Sequence, residues 1–287
     1  MTKSTPVSRF NQVRKRNIAI LISLCLLVLF LIPWFFNPLI VTSYYPEFEK
    51  LPINFDGFKI AVIADLHSHR FGKKQEKLIE LILKQNPDIV VLAGDVINRR
   101  DRNMTNVNDF LAGISGKFPV YAIPGNHDYF YPKKFEKLFN LYNEYGVICI
   151  DGDTELMERG DQLIVISSPK MKRPKRGDIY SIDKSPTPVY NHEFNILLHH
   201  FGNEFDIISD EYDLVLSGHV HGGLVRIFNK GLFNTMKRSP FFPKYSKGIY
   251  RKESGSIMVL SAGLGNAIIP RFNNPREIVM VTLKVKK

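Results

Sequence analysis

Apolar positions fall along this chain in three rhythms. The first is continuous. Residues 18–36, IAILISLCLLVLFLIPWFF, carry no charge, long enough to cross a bilayer as a helix and too uniformly apolar for one face of a soluble core. The second is a set of short apolar runs, rich in β-branched residues, that stop abruptly in polar residues and glycine. KIAVIA (59–64) runs into Asp65-Leu66-His67, and DIVVLA (88–93) into Gly94-Asp95. PVYAI (119–123) runs into Pro124-Gly125-Asn126-His127-Asp128, FNILL (194–198) into His199-His200, and DLVLS (213–217) into Gly218-His219-Val220-His221. Runs of this length read as buried strands. The third rhythm is helical: KKQEKLIELILKQN (73–86) stops before Pro87, TNVNDFLAGIS (105–115) behaves likewise, and KKFEKLFNLYNEYG (133–146) stops at Gly146.

Strands alternating with helices predict an α/β fold with a largely parallel start. In such sheets a site forms at the carboxyl ends of the strands, where every polar cluster above falls. LVRIF (224–228), SIMVLSA (256–262) and EIVMVTLKV (277–285) are strand-like with no clear helix between them, which predicts a second sheet packed on the first. No repeat, low-complexity segment or linker divides the soluble part. The expected division is a basic cytoplasmic tail (1–17), a transmembrane anchor (18–36), a connecting segment (37–57) and one catalytic domain (58–287).

Charge adds orientation. Arg9, Arg14, Lys15 and Arg16 precede the apolar run, and the residues after it carry little positive charge. The positive-inside rule then predicts a single-pass cell-membrane protein with its catalytic domain extracytoplasmic. The competing reading, a cleaved signal peptide, fits less well because the run is long and no A-x-A follows it. The 287 residues carry a net charge of +11. That excess favours an anionic partner: nucleic acid, a membrane surface or a phosphorylated substrate. The two cysteines are Cys25, inside the apolar run, and Cys149. A disulfide framework and a cysteine-rich zinc site are therefore excluded, and a metal must be held by His, Asp, Asn or Glu.

The strand ends collect Asp65, His67, Asp95, Asn126, His200 (or His199), His219 and His221. On a strand, His219 and His221 would share a face; a glycine turn carrying surface histidines is the plainer reading. An oxygen-and-imidazole set without sulfur suits Mn, Fe or Zn. Seven ligands exceed one tetrahedral site and suit two ions, with one carboxylate, Asp95, as the natural bridge. Two metals roughly 3.5–4 Å apart form the usual clamp for phosphate-ester hydrolysis.

The ordered set D-x-H (Asp65, His67), G-D (Gly94, Asp95), G-N-H-D (Gly125 to Asp128), L-L-x-H (Leu197 to His200) and G-H-x-H (Gly218 to His221) resembles the calcineurin-like metallophosphoesterase family over roughly residues 59–285. GHVHGGLVRIF, PKYSKGIY and SAGLGNAIIPRFNNPREI are similar to a branch of bacterial membrane-associated or exported phosphoesterases, some of which act on UDP-2,3-diacylglucosamine. The resemblance implies a four-layer α/β/β/α sandwich of two mixed sheets and two divalent transition-metal ions. It implies Asp65, His67, Asp95 and His221 on one ion, and Asp95, Asn126, His200 and His219 on the other. His127 would be proton donor or transition-state stabiliser. The family's G-D-x-x-D ends here in Asn98, at the position that orients the catalytic histidine. An amide can hydrogen-bond there but cannot stabilise an imidazolium as a carboxylate does, so His127 is expected to be weaker or to borrow charge from a neighbour.

His69 and Arg271 are candidate substrate contacts, against plain loop roles for both. His192 reads as solvent-facing. The basic run 170–176 reads as an exposed loop, and the aromatic-basic stretch 228–245 as a rim loop or a bilayer-surface segment. The leading expectation is a membrane-anchored phosphoesterase whose substrate is a phosphorylated small molecule or lipid. A UDP-2,3-diacylglucosamine-type pyrophosphatase is the alternative, though its substrate lies on the cytoplasmic side. A nuclease is disfavoured by the absence of a stacking platform, so no nucleic-acid partner is expected. A non-catalytic relative has only Asn98 in its favour.

Overall fold

A computed structural model describes residues 6–35, 37–171, 190, 192–208, 210–233, 241–266 and 269–287. The helix α1 (Pro6–Phe35) begins well before the uncharged run, because the basic residues ahead of it continue the helix. Its segment Val13–Ile32 is long and apolar enough to cross a membrane, and none of it is buried in the protein.

The next segment, expected as a connector, supplies β1 (Leu39–Tyr44). The chain then continues through β2 (Lys59–Ile63), α2 (Glu76–Gln85), β3 (Ile89–Ala93), α3 (Thr105–Ile114), β4 (Val120–Ile123), α4 (Pro132–Glu144) and β5 (Ile148–Cys149). A hairpin follows, β6 (Thr154–Arg159) and β7 (Gln162–Ser167), and then β8 (Phe194–Phe201) and β9 (Leu214–Gly218). The two main sheets are completed by β10 (Gly248–Arg251), β11 (Ile257–Leu260) and β12 (Arg276–Thr282).

Two six-stranded mixed sheets result, ordered β1-β12-β2-β3-β4-β5 and β10-β11-β9-β8-β7-β6. In each, four neighbouring strands of the site-bearing half run parallel: β2 to β5 in one and β11, β9, β8 and β7 in the other. Antiparallel pairing enters at β12–β2, β10–β11 and β6–β7.

Alternation of side chains explains the layering. Ile60, Val62, Val91, Ile166, Ile196, Leu198, Leu216 and Val259 point between the sheets and form the central core. Ala61, Ile63, Val90 and Leu92 point outward and are covered by Leu78 and Ile82 of α2, Phe110 and Leu111 of α3, and Leu138 and Tyr142 of α4. The outer face of the second sheet, with Leu197, Val215 and Met258, packs against Phe205, Ile208, Tyr212 and Tyr245; Phe205 lies on the 3-10 turn Gly202–Ile207.

Buried Glu277 on β12 links the first sheet to the ends of the second: it accepts hydrogen bonds from Thr42 Oγ1 of β1 (2.7 Å), from Lys247 Nζ just before β10 (2.6 Å) and from Ala262 N just after β11 (2.7 Å). The expected strand 224–228 shrinks to Arg226–Ile227, paired with Lys230–Gly231, because Leu224 already holds a left-handed φ of 59°. Of the basic run 170–176, residues 172–176 lie outside the described residues, as do 234–240 of the aromatic-basic stretch.

Candidate metal centre

The chain reaches its polar clusters through unusual backbone. Asp65, His67, Asp95, His219 and His221 all take positive φ, between 48° and 74°. That region is costly for residues with a Cβ, about 1 kcal/mol or more each, and such positions cluster at functional sites. The turns are held by a backbone lattice: Asp65 N–H donates to Gly94 O (3.0 Å), His67 N–H to Asp95 O (2.9 Å) and Leu264 N–H to Ala64 O (3.0 Å). Two glycines make room. A Cβ on Gly94, whose φ is 85°, would stand 2.5 Å from His200 Nδ1, and a Cβ on Gly125 would overlap Asp95 N and Oδ1.

His219 and His221 lie past the strand, in a glycine turn rather than on a shared strand face. β9 ends at Gly218, and the two histidines follow in the turn beyond it. They still converge on the site, but on different halves. His221 Nε2 lies 3.3 Å from His67 Nε2 and 3.6 Å from Asp65 Oδ1. His219 Nδ1 lies 3.3 Å from His200 Nε2. Asp95 stands between the halves: its Oδ2 is 3.6 Å from His67 Nε2 and 3.4 Å from His200 Nε2. Asn126 Oδ1 completes the second half, 3.2 Å from His200 Nε2.

Strand alternation separates the doubled histidine. His200 faces this cluster and donates from Nδ1 to Ala93 O (2.8 Å), which leaves Nε2 free as a ligand. His199 faces the other way and pairs with Glu204 Oε2 (3.1 Å).

The donor set fits divalent metal. Ligand atoms about 2.0–2.2 Å from one ion stand about 3–3.5 Å apart at tetrahedral to right-angle geometry, and the ligand-to-ligand edges here run from 3.2 to 3.6 Å. Two potential metal-holding groups, Asp65-His67-His221 and Asp95-His200-His219, are buried throughout, and a third, His67-Asp95-His127, links them.

Burial holds His67 down at about 4, and burial with the neighbouring His200 holds His219 at about 3. Both imidazoles are therefore neutral, as ligands must be. Burial, with repulsion from Asp95, pushes Asp65 up to about 7 against the pull of His200. At His200 burial works downward, but Asp95 and Asp65 outweigh it and raise it to about 9. At Asp95 burial works upward, but His200, His67 and His127 outweigh it and hold the carboxyl well below its ordinary value, so the buried cluster draws positive charge of the kind a cation would supply.

Asp128, quoted in the motif but given no role there, organises the site. Fully buried, it accepts from Val96 N (3.2 Å) and Gly125 N (2.9 Å) on Oδ2, and from Ile97 N (2.9 Å) on Oδ1. It thereby joins the loop of Asp95 to the loop of Asn126 and His127.

His127 sits at the rim, its ring edge-on to His67 at 4.6 Å, while its backbone N–H donates to Asp95 Oδ1 (2.7 Å). Burial lowers its pKa, Asp95 opposing and Arg99 assisting. Asn98 does not hold it. The Asn98 Oδ1 accepts from Arg100 N (3.0 Å), turning away, and the group facing His127 Nδ1 is the Arg99 N–H at 3.5 Å. An accepting Nδ1 leaves the ring proton on Nε2. Asp101 adds only the smallest upward pull, and His127 stays below its ordinary value. Lys134 Nζ fixes this loop by donating to Arg99 O and Asp101 O, both at 2.6 Å.

Arg271 is placed behind the site rather than in front of it. It is 1% exposed, and it donates to Gly265 O from Nε (2.8 Å) and to Ala262 O from Nη2 (2.6 Å), with Nη2 also 3.3 Å from His221 Nδ1. Its Nε and Nη2 are taken up by backbone carbonyls, and its guanidinium stands against His221 rather than open to solvent. Asn274, which no sequence signal singled out, donates to His221 O (2.7 Å). His69 is half-buried against Phe71 (4.9 Å) and joins none of the potential metal-holding groups; His192 is exposed.

Two mixed β-sheets gather buried carboxylate and imidazole clusters at their strand ends, a donor set that fits divalent metal. Residues 58–223 match the calcineurin-like phosphoesterase family, and the chain belongs to it. It is 30% identical to a phosphodiesterase, YaeI, of Escherichia coli over 79% of this chain and 82% of that one. It is 27% identical to a metallophosphoesterase of Aquifex aeolicus over 86% and 92%. It is 25% identical to a transmembrane protein with a metallophosphoesterase domain of Danio rerio over 82% of this chain and 55% of that protein.

Proposed function

We propose that this chain is a membrane-anchored, two-metal phosphoesterase that hydrolyses a phosphodiester or phosphomonoester outside the cytoplasmic membrane. One observation carries the reading: Asp95 Oδ2 lies within 3.6 Å of His67 Nε2 and 3.4 Å of His200 Nε2, each the centre of a separate ligand group. Asp65, His67, Asp95 and His221 would hold one divalent ion, and Asp95, Asn126, His200 and His219 the other. Bound there, the ions supply Lewis-acid stabilisation of phosphoryl charge and ease deprotonation of an attacking water.

The chain's own groups do the rest. His127 carries its proton on Nε2 and would donate a hydrogen bond from it to the leaving oxygen, stabilising the charge that develops there. The backbone lattice around Asp65 and Asp95 keeps both carboxylates in place, and Arg271 and Asn274 keep His221 from turning. α1, with Arg14, Lys15 and Arg16 at its start, supports an anchor with the catalytic domain outside. The names of the Escherichia coli and Danio rerio relatives support diester hydrolysis and membrane attachment, respectively.

The test is hydrolysis of bis-p-nitrophenyl phosphate and p-nitrophenyl phosphate by the full chain, with Mn²⁺, with chelator, and with Asp95→Ala. Metal-dependent turnover lost in Asp95→Ala is expected. Turnover that survives both chelation and Asp95→Ala would overturn the reading.

A further inference from the structure

Phe30 lies two residues inside the end of the apolar segment of α1, about 3 Å along the helix axis. Its ring packs on Phe272 at 5.4 Å. Phe272 follows Arg271, the residue against His221. Phe272 is stitched to the loop that leaves the site: its N–H donates to Leu224 O (3.2 Å), and Arg226 N–H donates to its carbonyl (3.0 Å). The contact with α1 thus fixes this rim near the end of the apolar segment Val13–Ile32.

Large apolar side chains stand exposed on this rim, beside exposed Asn229, Lys230 and Lys244. Phe228 is 94% exposed, Phe242 65%, Ile227 45% and Ile269 36%. Phe228 and Phe242 are both held at positive φ, 47° and 49°, so bulky rings stand out from tight turns that favour glycine or asparagine. The hydrogen bond from Phe242 N to Leu232 O (2.9 Å) keeps the two loops side by side.

We infer that the loops carrying Phe228, Phe242 and Ile269 rest on the bilayer that α1 spans, so that the metal centre opens at the membrane surface onto phosphoesters in lipid headgroups. This rests on the anchored reading above. The occupant is the bilayer because the patch continues directly from the apolar end of α1. Side chains at such loop tips enter the headgroup–acyl boundary by about 5–10 Å, while the site behind them stays at headgroup depth.

Single-tryptophan reporters in the full chain test this, on a Trp34→Phe background, in phosphatidylcholine vesicles brominated on the acyl chains. Leu26→Trp reports anchoring. Phe228→Trp and Phe242→Trp report docking at two separate loops. Leu156→Trp, on the far edge strand of the second sheet, is the aqueous control. Reporters at 26, 228 and 242 are expected to lose emission to bromine and resist iodide, and the one at 156 to show the reverse. An unquenched reporter at 26 sinks both the anchor and the docking. Bromine quenching at 26 but only iodide quenching at 228 and 242 sinks the docking alone. Reporters at 228 and 242 shielded from both quenchers would mean a protein partner, such as a second copy, and bromine quenching at 156 would mean no oriented surface; either overturns the proposal.

Discussion

Asp128 makes a sharp test because it touches no ligand position directly. Replacing it with Asn keeps the shape and removes acceptor capacity. Its carboxylate takes three backbone N–H groups on two oxygens. The amide can satisfy either the Val96 and Gly125 pair or Ile97, and whichever it abandons meets an NH₂ donor instead. Burial and Asp95 raise the Asp128 carboxyl to about 7, so it is a charged acceptor above that pH, and there losing one of its hydrogen bonds and leaving a buried donor unpaired costs about 2–4 kcal/mol together. Asp128→Ala abandons all three donors and should cost about 4 kcal/mol or more. Because the same three bonds join the loops of Asp95 and His127, bound metal should fall with stability. Urea unfolding of the full chain, with metal content on the same samples, reads both. Asp128→Asn within about 0.5 kcal/mol of the parent, with unchanged metal content, would refute the assigned role.

Three further outcomes are expected. Arg271→Lys removes the forked contacts to Ala262 and Gly265 but keeps a cation, so kcat should fall about tenfold or more with KM little changed; a rise in KM alone would restore Arg271 as a substrate contact. Asn98→Ala loses only a turn bond to Arg100, so kcat should fall less than about threefold, whereas His127→Ala should lose about 10²-fold or more; equal losses would show that Asn98 acts through His127. Metal binding should release protons at neutral pH, because His200 holds one up to about 9 in the ion-free site. Apparent affinity should therefore rise with pH toward about 9 and flatten above it. Calorimetry in buffers of different ionisation enthalpy checks this, and no proton release would contradict it.

The strand ends were readable because buried parallel strands are continuously apolar, and their break into Asp, His and Asn is abrupt. β1 was not, because LIVTSY follows directly on the apolar helix and reads as its continuation or as a connector; only pairing with β12, far along the chain, makes it a strand. The β6–β7 hairpin was hidden by exposed, charged alternation in TELMER. Within the site, residue types identified the ligands, but local backbone decided direction. Nothing in the residue names turns Asn98 toward Arg100, buries Arg271 among carbonyls, or gives Asp128 three backbone donors. Those are products of left-handed turns and long-range packing, which periodicity does not encode.

Metal stoichiometry tests the central claim most directly. The full chain is loaded with Mn²⁺, freed of excess ion and measured for bound metal and for magnetic coupling by electron paramagnetic resonance. Two coupled ions per chain are predicted, with Asp95→Ala losing the coupling and weakening both sites, since Asp95 Oδ2 faces a histidine of each group. A single uncoupled ion, or two ions indifferent to Asp95→Ala, would contradict the shared-carboxylate centre.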